Sequence, residues 1–156
     1  MAGLKLDTII TNIAALSVTL KNTKTLKILK DSSVPESAKD LGAVLFPKPD
    51  GFVSGFEVEA MTYGVNGVEK MDVSYTLTYT FCDIPMGANR SIGVNYNILA
   101  YDTVQILNAI LTNDNITGGV DLRVSGVNSF GAVPDPSGNM FFGTEIQLAV
   151  QEFYEV

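Results

Sequence analysis

One long stretch of strict alternation constrains the fold of this chain more than any other feature. Met71, Val73, Tyr75, Leu77, Tyr79 and Phe81 alternate with Asp72, Ser74, Thr76, Thr78 and Thr80. A period of two puts each set on its own face of a β-strand, so one face packs a core and the other is a Ser/Thr ladder. Such a ladder normally faces solvent; in an oligomer it can equally form an interface or the wall of a lumen. Upstream, Phe56, Val58 and Ala60 alternate with Glu57 and Glu59, and Asn66-Gly67 lies between the two runs. Asn-Gly suits a type I′ turn, which needs positive φ at both central residues, so the pair of runs is predicted to be a β-hairpin.

The remaining elements follow from shorter patterns. Ile9, Ile10, Ile13, Leu16 and Leu20 recur at helical spacing, predicting a helix over 7–20 with Asp7 at its positive end. Leu26 and Ile28 alternate with lysines as a short strand, and the lysines at 21, 24, 27 and 30 are expected to protect a sheet edge. Ala43 to Phe46 is a short buried strand between the turn clusters 31–37 and 47–51. A second helix is expected from Asn95 to Thr112, with Ile98, Leu99, Val104, Ile106, Leu107, Ile110 and Leu111 forming a wide stripe laid across a sheet. Val120 to Ser125 reads as a strand and 133–139 as turn material. The last strand carries Ile146, Leu148 and Val150 on its inner face and Glu145, Gln147 and Gln151 outside; the loss of phase at 152–154 predicts a bulge or a change of partner. Without βαβ alternation, this order predicts one α+β domain over 1–156: a mostly antiparallel sheet with a long hairpin and two helices on one face.

Composition narrows the function. The chain has 156 residues, 46% hydrophobic and 17% charged, which suits a packed domain and not a disordered tail. No apolar run reaches the roughly 20 residues that span a bilayer. The first residues carry no basic stretch followed by an apolar segment, so folding in the cytosol of the cell that makes it is expected, with no membrane partner. Residues 1–50 carry a net +2 and residues 51–156 a net −9, within a total of −7. That balance argues against gripping a nucleic-acid backbone, which takes clustered cations.

Enzyme templates find no support. Histidine is absent, which removes His-based triads and most zinc chemistry, and no Gly-rich phosphate loop is present. The segment 113–118 resembles the start of a calcium loop but has Val124 where the twelfth-position acid belongs. Cys82 is the lone cysteine and sits beside Asp83, which favours a buried structural thiol. Glu57 and Glu59, roughly 7 Å apart on one strand face, match a glycosidase spacing, but with no Trp to stack a sugar they read as a solvated face.

Taken together, several segments resemble the tail-terminator and neck proteins of long-tailed bacteriophages. They are the helix at 7–20, Val34-Pro35-Glu36-Ser37, Leu45-Phe46-Pro47 ahead of the hairpin, and Tyr75-Thr76-Leu77-Thr78-Tyr79. The helix near 95–112, Gly138-Asn139-Met140-Phe141-Phe142-Gly143 and the closing Glu152-Phe153-Tyr154 complete the likeness. The resemblance implies a non-enzymatic structural protein of the virion, without cofactor or metal. It implies a homo-hexameric ring that caps the tail tube, joins the head connector and lets DNA pass without specific binding. Glu57, Glu59, Asp72, Asp121 and Glu145, the acids that alternate outward on strands, are then the candidates to face the channel. A tail-tube or head-completion subunit is the neighbouring alternative. From a different class, a cytosolic domain binding a small ligand between helix and sheet is the other.

Overall fold

The computed structural model describes residues 4–30, 42–63, 68–87, 91–112 and 121–155. The turn clusters at 31–37, the Asn66-Gly67 pair and the segment 113–118 lie outside them. The elements run α1 (Leu6–Ala14), a 3₁₀ turn (Lys21–Thr23), β1 (Lys27–Ile28), β2 (Val44–Pro47), β3 (Val53–Tyr63), β4 (Val68–Pro85), α2 (Ile92–Thr112), β5 (Asp121–Pro134) and β6 (Met140–Glu155).

The alternating strand became the hub of the sheet. β4 pairs along its length with β6, antiparallel, and β6 pairs with β5. On its other side β4 is shared: its first half pairs with β3, the predicted hairpin, and its last residues pair with β2. The segment between β2 and β3 crosses from one to the other over Thr78. There the Lys48 N–H donates to the Thr78 carbonyl at 3.0 Å and the Thr78 N–H donates to the Phe52 carbonyl at 2.9 Å. Gly51 supplies the positive φ of 77° that this sharp reversal needs. Only the short β1–β2 pair is parallel among the described strands. The fold is therefore α+β with a mostly antiparallel sheet.

Both helices pack on one face. Ile9 and Ile13 of α1, and Ile98, Leu99, Ile106 and Ile110 of α2, share a core with Tyr75, Leu77, Tyr79 and Phe81 of β4 and Ile146, Leu148 and Val150 of β6. A second, smaller core lies on the opposite face at the β2 end, made by Val44, Phe46, Cys82, Val133 and Phe141. All four residues of β2 are buried, which explains its continuous apolar run. Gly143 lies between the layers: a Cβ there would collide with the Phe81 carbonyl and the Val133 side chain.

Five expectations need correction. α1 stops at Ala14 and not at residue 20. The β-branched Val18 and Thr19 favour extended backbone. Val18 and Leu20 enter the core from that extended segment, with Thr19 bridging Thr25. Asp7 sits in the first turn and makes no cap bond, as a dipole partner would. α2 begins earlier, at Ile92, where the Ser91 hydroxyl accepts the Val94 N–H at 3.3 Å. Its apolar stripe is narrower than expected: Val104 and Leu111 are exposed. β5 runs on to Pro134, because register shifts at Val124/Gly126 and Asn128/Gly131 hide its period. The bulge expected at 152–154 is absent: pairing with β4 is unbroken from Lys70↔Glu155 to Cys82↔Gly143. The phase looked lost because Glu152 fills a core position, where its carboxylate accepts the Tyr75 hydroxyl at 2.6 Å and the Lys5 N–H at 2.8 Å.

Candidate functional site

The face of the sheet turned away from the helices holds the polar half of every alternating strand. Register fixes which side chains share it. Glu57 stands opposite Ser74, Ser74 opposite Gln151, and Gln151 opposite Asp121, giving one row across four strands. In the next row Glu59 stands opposite Asp72 and Asp72 opposite Phe153. On the other side, Thr76 and Ala149 lead to Arg123. Glu57, Glu59, Asp72 and Asp121 are thus gathered at the hairpin end of this single face. Glu145 shares the face but lies toward the β2 end, where Lys48 Nζ is 3.1 Å from its carboxylate.

The geometry there is that of a wetted surface. Glu59 and Asp72 oppose each other directly, a like-charge placement that costs stability. Asp72 is held by Gln151, whose Nε2 donates to both carboxylate oxygens at 3.1 and 3.0 Å. A hollow of about 430 Å³ is bordered by Glu57, Val58, Glu59, Asp72 and Ser74. Its acids are not buried. The ladder itself divides: Ser74 and Thr76 are partly exposed, whereas Thr78 and Thr80 are buried.

Both long sides of the sheet end in a strand with one partner. Among the described residues β3 pairs only with β4, and β5 only with β6. Because β5 runs parallel to β4, it runs antiparallel to β3. The two edges also differ in charge: Arg123 and Asp121 project from β5, and Glu57 and Glu59 from β3. Exposed apolar side chains accompany them, Phe130 on β5 and Phe56 and Val58 on β3.

Sequence patterns missed the buried charges. Lys24 was grouped with the edge lysines, yet its ammonium is bonded to Asp83 Oδ1 and lies 3.3 Å from Asp102 Oδ2, both carboxylates fully buried. A signal for the acids existed. Asp83 continues the inward phase of Tyr79 and Phe81, Asp102 lies between Ile98 and Ile106 at spacings of four, and Glu152 follows Ile146, Leu148 and Val150. Burial pushes Asp83 up to about 7, with the neighbouring Asp102 carboxyl adding to the rise and Lys24 opposing it. Burial, with the Asp135 charge adding to it, pushes the Cys82 thiol up to about 12, so the thiolate is scarce at neutral pH.

Among the described residues no three acid or thiol side chains stand close enough to share a metal ion, and no described helix is long and apolar enough to cross a membrane. No protein-family model matches the chain, and no curated protein matches it.

Proposed function

We propose that this chain is a structural subunit of a long-tailed bacteriophage virion. Copies of it form a ring at the end of the tail tube, between the tube protein and the head connector, and DNA passes through the ring's channel. The observation that carries this reading is the gathering of Glu57, Glu59, Asp72 and Asp121 on one face of a sheet whose two long edges are unpartnered among the described residues. Unpartnered edges favour association, and joining each copy's β5 to the next copy's β3 forms an antiparallel pair that closes in a ring. Closing a sheet requires stagger between strands. A stagger of two residues moves Arg123 from the level of Thr76 to that of the neighbour's Glu57, setting a cation against an acid, while Asp121 moves to the level of Glu59. The sheet face then surrounds the channel, and its carboxylates repel the phosphate backbone over the roughly 8–10 Å that salt permits. DNA slides and is not held. This role needs no catalysis, cofactor or membrane.

Charge reversal tests it. Replacing Glu57, Glu59, Asp72 and Asp121 by Lys leaves an exposed face that still folds, and the variant gains DNA binding that weakens steeply with salt. Particles carrying it assemble but eject DNA more slowly, as followed by dye fluorescence. Ejection at the normal rate, with the substitutions confirmed in the particles, would refute the channel role.

A further inference from the structure

Away from the acidic face, the 3₁₀ turn at Lys21–Thr23 is held in an unusual backbone conformation. Asn22 has φ 63° and Thr23 φ 58°. Positive φ is costly for a β-branched residue, and two in succession persist only where the surroundings impose them. The anchors are identifiable. The Lys21 N–H donates to Asp102 Oδ1 at 2.8 Å, the Leu20 N–H donates to the Lys24 carbonyl at 2.7 Å, and the Lys24 ammonium bonds Asp83. Val18 and Leu20, just ahead of the turn, are buried in the main core.

The anchor is not electrically balanced if both acids are ionised. Two inaccessible carboxylates facing one ammonium leave a buried net charge of −1, which a low-dielectric site penalises heavily. Among the described residues, two oxygens also lack hydrogen-bond partners, Asp83 Oδ2 and Asp102 Oδ2. The Lys24 ammonium 3.3 Å from Asp102 Oδ2 is an ion-pair contact without hydrogen-bond geometry. Ionised carboxylates only accept, so neither can satisfy the other; a single proton makes one of them a donor. We propose that Lys24, Asp83 and Asp102 form a proton-held latch: with one proton shared between the two carboxyls, it pins the strained turn to α2 and β4, and loss of that proton loosens the turn.

Among the described residues, the charges acting on Asp83 are Lys24 and Asp102. The Lys21 ammonium lies instead over the Tyr101 ring, 5.1 Å from its centroid. The strands flanking the end of β4 bring uncharged neighbours, Val44 from β2 and Phe142 and Gly143 from β6. The upward shift of Asp83 to about 7 agrees with a retained proton. Its folded value lies above the ordinary value of about 3.9, so the latch is strongest below that pH and is lost as pH rises toward about 7. The latch is a property of the single chain and stands apart from the ring.

Amide hydrogen exchange on the full chain tests it, with rates corrected for the intrinsic effect of pH. Protection at Leu20 and Lys21 is expected to fall about tenfold per pH unit between about pH 5 and pH 7, then level off. Asp83→Asn, whose side-chain amide donates to Asp102 at every pH, should flatten the profile. Protection that stays constant with pH in the unmodified protein, or an unflattened profile in the variant, would overturn the latch. Should Asp83→Asn not fold, a carbon-13 titration of the Asp83 carboxyl in the unmodified chain decides. A midpoint near 7 supports the latch, and one near the ordinary value of about 4 overturns it.

Discussion

The two ends of β4 carry the same alternation and meet opposite fates. At the hairpin end, Asp72, Ser74 and Thr76 look out across β3 and β6 onto an open face. At the β2 end, Thr78, Thr80 and Cys82 lie on that same face but are buried, and Cys82 joins Val44, Phe46, Val133 and Phe141 in a second core there. Alternation in a strand therefore specifies which side a residue takes; what covers that side is decided by residues far away in the chain. One end of the sheet is a closed structural plug, and the other is an open acidic surface free to meet something else.

The sharpest way to break this contrast is to add one methyl group at two levels of that face. Gly143→Ala at the closed end drives a Cβ into the Phe81 carbonyl and Val133, which is expected to cost about 3 kcal/mol through overpacking. Gly126→Ala, on the same face but nearer the open end, meets nothing closer than the Gln147 side-chain oxygen at 3.4 Å. It is expected to change stability by less than about 0.5 kcal/mol. Urea denaturation of the two variants measures the difference; equal losses would show that the second core is not packed as described.

A smaller effect sharpens the comparison on the helix side. Tyr75 and Tyr79 are both buried on the inner face of β4, but the Tyr75 hydroxyl donates to Glu152 while the Tyr79 hydroxyl has no hydrogen-bond partner among the described residues. Tyr75→Phe deprives a buried carboxylate of a donor and is expected to cost about 1–3 kcal/mol. Tyr79→Phe removes an unpaired buried polar atom and is expected to be neutral or slightly stabilising, within about 0.5 kcal/mol. Thermal melting distinguishes them, and a larger loss for Tyr79→Phe would contradict the hydrogen-bond assignment.

Much of the fold was legible because its strands keep phase. The period of β4 gave the hairpin partner, the core face and the sidedness of Glu57, Glu59, Asp72, Asp121 and Glu145, which do share one face. Legibility ended where local pattern and tertiary role part company. Leu16 and Leu20 match helical spacing, yet the helix ends before them and Leu20 reaches the core by another route. The length of β5 was hidden because each bulge shifts the phase by one residue. Lys24 looks like Lys21, Lys27 and Lys30 in sequence, and only the arrival of β4 and α2 makes it an anchor. Asp83, Asp102 and Glu152 were readable in principle, as acids standing in apolar slots of otherwise regular patterns. The pairing of Glu145 with Lys48 depends on the chain crossing between β2 and β3 and has no local signal.

The orientation of the open acidic face within an assembly is the central matter, and electron microscopy of intact particles addresses it most directly. A reconstruction of the tail end at side-chain detail is expected to show this chain as a closed ring, with β5 of each copy beside β3 of the next. Glu57, Glu59, Asp72 and Asp121 should line its lumen, and α1 and α2 should lie outside. A ring with the helices turned inward, or particles in which this chain forms no ring, would contradict the account.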